Sequence, residues 1–299
     1  MTSPVIFDRR LLRDRRIRAA ALGPATFLLE RVAADMAERL EAVLRRFPRA
    51  IDLCTPTDAV RRILASSKKI NDLIAIDTIA AHLPRAPALA VAAEEEALPF
   101  RDGTLDLVLS ALALQFVNDL PGALVQIRRA LKPDGLLLAA VLGGDSLTEL
   151  RQSFAAAESE VAGGVSPRVA PFVDVRSVGM LLQRAGFALP VTDVDRVVVR
   201  YETPFALMHD LRRMGATNVL LERRRAPASR KLLMRAVEHY FKRFSDDDGR
   251  IRATFEVVWM SAWAPDPSQP KPLKPGSAKH RLADALGVKE FPTGEKPGG

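Results

Sequence analysis

At 299 residues, 48% of them hydrophobic, the chain carries enough apolar material for a large folded domain and is excluded from the disordered class. Its single cysteine, Cys54, rules out an intramolecular disulfide and a cysteine-built zinc site, and points to a reducing compartment. A net charge of +8 favours anionic partners, but only 6% of residues are aromatic and they do not interleave with the basic runs, which argues against nucleic acid.

Taken in order, the opening stretch from Arg9 to Arg18 is rich in arginine. Asp8 and Asp14 interrupt it and hydroxyl residues are nearly absent, so it is expected to stay in the mature protein and not to be a transit peptide. Leu29, Val32, Met36, Leu40, Val43 and Phe47 recur at spacings of three and four, which predicts an amphipathic helix from Thr26 to Phe47 with Thr26 as its cap and Glu30 in its first turn. Strands are then predicted at Ala50 to Leu53, Leu73 to Asp77, Ala88 to Ala92, Leu105 to Leu109 and Leu136 to Leu142. Helices fall between them, one at Asp58 to Ser66 and one that begins near Asn118 or Asp119 and ends at Leu131. This alternation is the pattern of a parallel sheet in an α/β fold, and the unbroken apolar run of the fifth strand predicts burial on both faces.

Beyond it, Ser146 and Glu149 fit a capping box for a further helix. Helices are predicted at Asp174 to Ala185, Pro204 to Met214 and Ala228 to Phe244, with a strand at Val194 to Tyr201. Ala253 to Trp263 reads as a long alternating strand, antiparallel at the sheet edge. The expected organisation is a helical segment at 1–47, an α/β domain at 48–263 with a helical insert at about 145–245, and a tail at 264–299. Seven prolines and five lysines after Ala264 predict an extended or disordered tail. No run of about eighteen apolar residues is present to form a membrane span.

Carboxylates stand at the predicted ends of successive strands: Asp52, Asp77, and Glu94 with Glu95. A strand-end carboxylate in such a sheet can accept both hydroxyls of a ribose. The turn after the first strand normally presents backbone N–H groups to the ligand, which glycine permits. Here that turn is Cys54-Thr55-Pro56-Thr57-Asp58, without glycine, and Pro56 removes a donor. Ordinary roles stay open for each carboxylate: Asp52 as a turn cap, Asp77 as a strand-end polar group, Glu94 to Glu96 as a solvated turn. Cys54 reads as a packing residue more than a nucleophile. Gly143, Gly144 and Asp145 either start a helix or expose backbone donors to a substrate. The four histidines, His82, His209, His239 and His280, lack ligand spacing, so no metal is expected. Arg223 to Arg225 reads as a solvated loop, with a docking site for acidic protein or lipid as the alternative.

The acid ending strand two, the step Glu94-Glu95-Glu96-Ala97-Leu98-Pro99-Phe100 and the turn Leu131-Lys132-Pro133-Asp134-Gly135 resemble class I S-adenosylmethionine-dependent methyltransferases over residues 45–142. Val5 to Arg9, Asn118-Asp119-Leu120-Pro121, Gly143 to Arg151 and Gly163 to Pro167 resemble the methyltransferase-like assembly factors of respiratory complex I and their bacterial relatives, up to about residue 263. The mitochondrial branch of that family is associated with arginine hydroxylation of a complex I subunit, and nearby relatives include the malonyl carrier-protein methyltransferase of biotin synthesis. The resemblance implies a Rossmann-like seven-stranded sheet and S-adenosylmethionine as cofactor. It implies cofactor contacts at Asp52, Cys54, Asp77, Glu94 and Glu95, and a substrate side at Gly143, Gly144 and Asp145. It also implies a protein or carrier-protein substrate, a respiratory-complex subunit or anionic membrane surface as partner, and a bacterial cytoplasm, at the inner membrane's periphery, as location. The family's three glycines fall on Cys54, Pro56 and Asp58, and its histidine after strand four is absent from Gln115-Phe116. Methyl transfer draws on positioning and desolvation, so no acid or base need be visible, but the methionine end of the cofactor must be held and this turn is poorly suited to it. Two functions stay open: an enzyme that binds the cofactor through an altered turn, and an assembly factor that works by binding a partner.

Overall fold

The computed structural model describes residues 5–270, 284 and 286–289. The chain divides into two compact units, Met1–Pro265 and Asp266–Gly299. Most of the predicted extended or disordered tail lies outside the described residues.

The first unit holds one seven-stranded sheet of β1 (Phe47–Leu53), β2 (Ile70–Asp77), β3 (Ala90–Ala92), β4 (Leu105–Ala111), β5 (Leu131–Leu142), β6 (Ala188–Tyr201) and β7 (Ile251–Trp263), in the order β3-β2-β1-β4-β5-β7-β6. The first five strands are parallel, and β7 runs antiparallel to both β5 and β6. Strand order reverses between β1 and β4, which opens a crevice at their carboxyl ends. The helices are α1 (Arg9–Ala21), α2 (Phe27–Ala42), α3 (Ala59–Leu64), α4 (Leu120–Ala130), α5 (Thr148–Ala162), α6 (Val175–Arg184), α7 (Pro204–Arg213) and α8 (Arg230–Phe244).

Successive strand residues face opposite sides, so the core is two layers. On one face Val32, Met36 and Leu40 of α2 pack with Phe255 and Trp259. On the other, Leu124 and Ile127 of α4 and Val178 and Leu182 of α6 pack with Ile51 and Met260.

Three expectations are corrected. The helix predicted to reach Phe47 stops at Ala42, because Lys69 Nζ donates to the carbonyls of Leu40 (3.0 Å), Glu41 and Val43, closing the helix end, while Phe47 pairs with Ile70 as strand. β7 is not the edge strand: it lies between β5 and β6 and is buried along nearly its whole length, whereas β6 is outermost and only its last residue is fully buried. The Ser146 and Glu149 capping box does not form, since Leu147 precedes the helix in a left-handed conformation with φ 56°. β7 runs past the end of β5, leaving backbone groups at 254–256 to satisfy. Gly143 N donates to the Glu256 carbonyl (2.8 Å), Leu147 N to that of Thr254 (2.7 Å), and Glu149 accepts from Thr254 N (3.1 Å). Ser146 Oγ both donates to and accepts from the Glu256 backbone.

Candidate functional site

Each carboxylate identified at a strand end already has a partner in the fold. Asp52, fully buried at the end of β1, is 2.6 Å from Arg61 Nη1 through Oδ2; burial pushes its pKa up to about 6 although Arg61 and Thr55 oppose this. Cys54 follows at φ 56°, its N–H donating to the Ile76 carbonyl (2.9 Å), and burial pushes its buried thiol well up, so it is no nucleophile. At the end of β2, Asp77 is buried, accepts from Ile79 N (2.7 Å) through Oδ1, and has Oδ2 3.7 Å from His82 Nδ1. Burial raises its pKa, with the Ile79 N–H, Arg16 and His82 acting in the opposite direction.

The run after β3 is not a solvated turn. Arg9, Arg13 and Arg16 lie on one face of α1, and they meet Glu95, Glu94 (3.6 Å) and again Glu95 (3.9 Å) respectively. Glu95 is fully buried between two arginines, and Glu96 accepts from the N–H groups of Asn118 and Asp119. Arg223 likewise is not free in a loop, since it pairs with Asp8 at 3.3 Å.

A cavity of about 810 Å³ opens at the crevice, beneath α1, the start of α2 and the segment 211–216. Among its lining residues are Arg16, Asp58, Arg61, His82, Gln115 and Phe116. Asp52, Cys54, Asp77, Glu94 and Glu95 are not among the residues that line it; Arg16, His82 and Arg61 are the lining partners of Glu95, Asp77 and Asp52, while Glu94 is part-exposed beside Arg13. Three of the lining residues carry a buried atom with no hydrogen-bond partner among the described residues: Arg16 Nη2, His82 Nδ1 and Gln115 Oε1. Such atoms are rare in folded proteins, and each calls for a water, an ion or a ligand as its partner.

Gly143 is packed against β7, where a Cβ would come within 2.7 Å of Val258 Cγ2. Gly144 lines a second hollow of about 570 Å³ with Arg151, Phe154 and Arg168, and Phe172 borders both hollows. The Asp145 N–H faces Glu256 Oε1 at 3.5 Å. Among the described residues no group of three or more His, Cys, Asp or Glu is placed to hold a metal ion, and no helix is long and apolar enough to cross a membrane.

Sequence reasoning gave no cofactor-site role to Arg9, Arg16, Arg61 or His82. Arg16 left one signal: it shares a helical stripe with Leu12 and Ala19, both buried. His82 left none.

The fold matches that of a Bacillus halodurans protein described as a methyltransferase, with a TM-score of 0.54 and 16% identity over 78% of this chain and all of that one. A family profile described as a methyltransferase domain matches residues 51–139, from β1 into β5. The chain is 37% identical to the mitochondrial arginine-hydroxylase NDUFAF5 of Danio rerio over 93% of its own length and 89% of that protein's. The chain belongs to the class I S-adenosylmethionine-dependent methyltransferase family. Another relative in this methyltransferase family is the malonyl-[acyl-carrier protein] O-methyltransferase of Laribacter hongkongensis, 35% identical over 89% of this chain and 92% of that one.

S-adenosylmethionine is the cofactor of this methyltransferase family, and the cavity suits it. The volume lies in the range of small-molecule sites. Its wall offers the Asp58 carboxylate to an ammonium, guanidinium groups to a carboxylate, and the His82 and Gln115 side chains to a nucleoside. The departure is local: Pro56 and Thr57 occupy wall positions that a glycine turn would leave to bare backbone.

Proposed function

We propose that this protein binds S-adenosylmethionine in the roofed cavity and acts on a group carried by a protein, either a side chain or an acyl unit on a carrier. The observation that carries the reading is the cavity at the strand-order switch, lined by Arg16, His82 and Gln115, each of which also carries a buried polar atom without a hydrogen-bond partner among the described residues. When bound, the cofactor supplies an electrophilic methyl group. The chain's share is to hold the ligand and keep out water: α1 and α2 cover the cavity, Asp58 would hold the ammonium, and Phe116 and Phe172 supply an apolar wall. Relatives named for arginine hydroxylation and for methylation of a malonyl carrier protein support a substrate of this kind. Assembly of a respiratory complex in a bacterial cytoplasm, at the inner membrane, is the setting we favour for a surface of net charge +8.

The glycine-free turn favours a second reading, an assembly factor that binds a partner without a reaction of its own. Calorimetric titration with S-adenosylmethionine separates the two. Affinity of order micromolar that disappears in Ala20→Trp, which blocks the cavity from an exposed wall position, supports the enzyme. No heat at millimolar ligand rejects it in favour of the assembly factor.

A further inference from the structure

Arg16 is 6% exposed and its Nη2 is buried with no hydrogen-bond partner among the described residues. Its ion pair with Glu95 is long: Nη1 stands 3.9 Å from Oε1, while Arg9 takes Oε2. A guanidinium carries five N–H donors, and leaving them buried without acceptors is costly. The side chain lines the cavity and Glu95 does not; at 3.9 Å the pair leaves both Glu95 Oε1 and Arg16 Nη2 without a hydrogen bond among the described residues, so the guanidinium keeps donors for a further acceptor. The turn that would hold the amino-acid end of the cofactor lacks glycine, and Pro56 lacks an N–H altogether. That end of the cofactor carries its only anion, a carboxylate, and planar guanidinium-to-carboxylate pairing is the strongest complement available on this wall.

We propose that Arg16 binds the carboxylate of the cofactor's amino-acid end, so that the roof helix α1 takes over an anchoring task that the Cys54 to Asp58 turn is poorly built to perform. The inference rests on the cavity being the cofactor site. Arg16 is then the residue that selects ligands carrying this carboxylate.

The test compares S-adenosylmethionine with decarboxylated S-adenosylmethionine, which lacks the carboxylate and keeps the ammonium, sulfonium and adenosine, by calorimetry on the full chain. Wild type should bind the first about tenfold or more tightly than the second. Arg16→Met should remove that ratio by weakening only the carboxylate-bearing ligand. Arg16→Lys keeps positive charge beside Glu95 and should lower the ratio severalfold, which preserves the test if Arg16→Met does not fold. Arg9→Gln disturbs Glu95 from a residue that does not line the cavity and should leave the ratio unchanged. A folded Arg16→Met protein that weakens both ligands equally, or that keeps the wild-type ratio, overturns the proposal. Wild type that binds both ligands equally well overturns it too, while leaving the cavity assignment standing. Wild type that binds neither overturns the cavity assignment and this inference together.

Discussion

Asp52 shows how a buried carboxylate links the site to pH. Its pKa is pushed up from 3.8 to about 6, mainly by burial. Between those values the folded chain holds a proton at Asp52 that the unfolded chain has released, so the contribution of this group to stability is greatest below about pH 4 and falls as pH rises toward 6. One such group contributes a loss of roughly 3 kcal/mol across that window and nothing further above it. Urea denaturation of wild type against Asp52→Asn at several pH values should show the difference between the two changing only in that window; a difference flat with pH rules the effect out. The glycine replacements are legible in the sequence, but their outcome is not. Cys54 keeps a left-handed conformation with φ 56°, at a cost of roughly 1–2 kcal/mol for a side-chain-bearing residue, because its N–H is tied to Ile76 and its thiol is buried. The strand-end carboxylates are legible as residues at strand ends. Their pairing with Arg16, His82 and Arg61 is not, since it depends on contacts between segments distant in sequence.

Elements follow the periodicity of the sequence closely, and their ends follow long-range partners. All seven strands can be read from apolar runs, yet Phe47 continues the helical spacing of Val43 while its backbone belongs to the sheet. The difference is Lys69, whose ammonium closes α2 from the segment before β2. Lys69→Met should cost roughly 1–3 kcal/mol, measured by the shift in urea midpoint at an unchanged slope. A change within a few tenths of a kcal/mol would mean that water serves those carbonyls equally well. The place of β7 inside the sheet is likewise hidden from local pattern, because strand order is set by which edges meet and not by alternation within one strand.

At the scale of the molecule, the segment leading into α1 is fastened to residues far along the chain. Ile6 N and Phe7 N both donate to Asn118 Oδ1 (2.8 and 2.7 Å), Asp8 N donates to the Val219 carbonyl (2.8 Å), and Phe7 packs edge-on against Phe116. Asn118→Ala should therefore loosen α1 by roughly 2 kcal/mol without loosening the parallel strands. Hydrogen–deuterium exchange should become faster over residues 9–21 and stay unchanged over β1 and β4; faster exchange in both would point to global destabilisation instead. The α1 part of the roof also leaves a ribosome well before its fastenings do, which emerge 111 residues on for Asn118 and 215 for Arg223. A nascent chain thus has no means of closing the chamber until those later segments have been translated, and capture of a small molecule is deferred to a late stretch of synthesis.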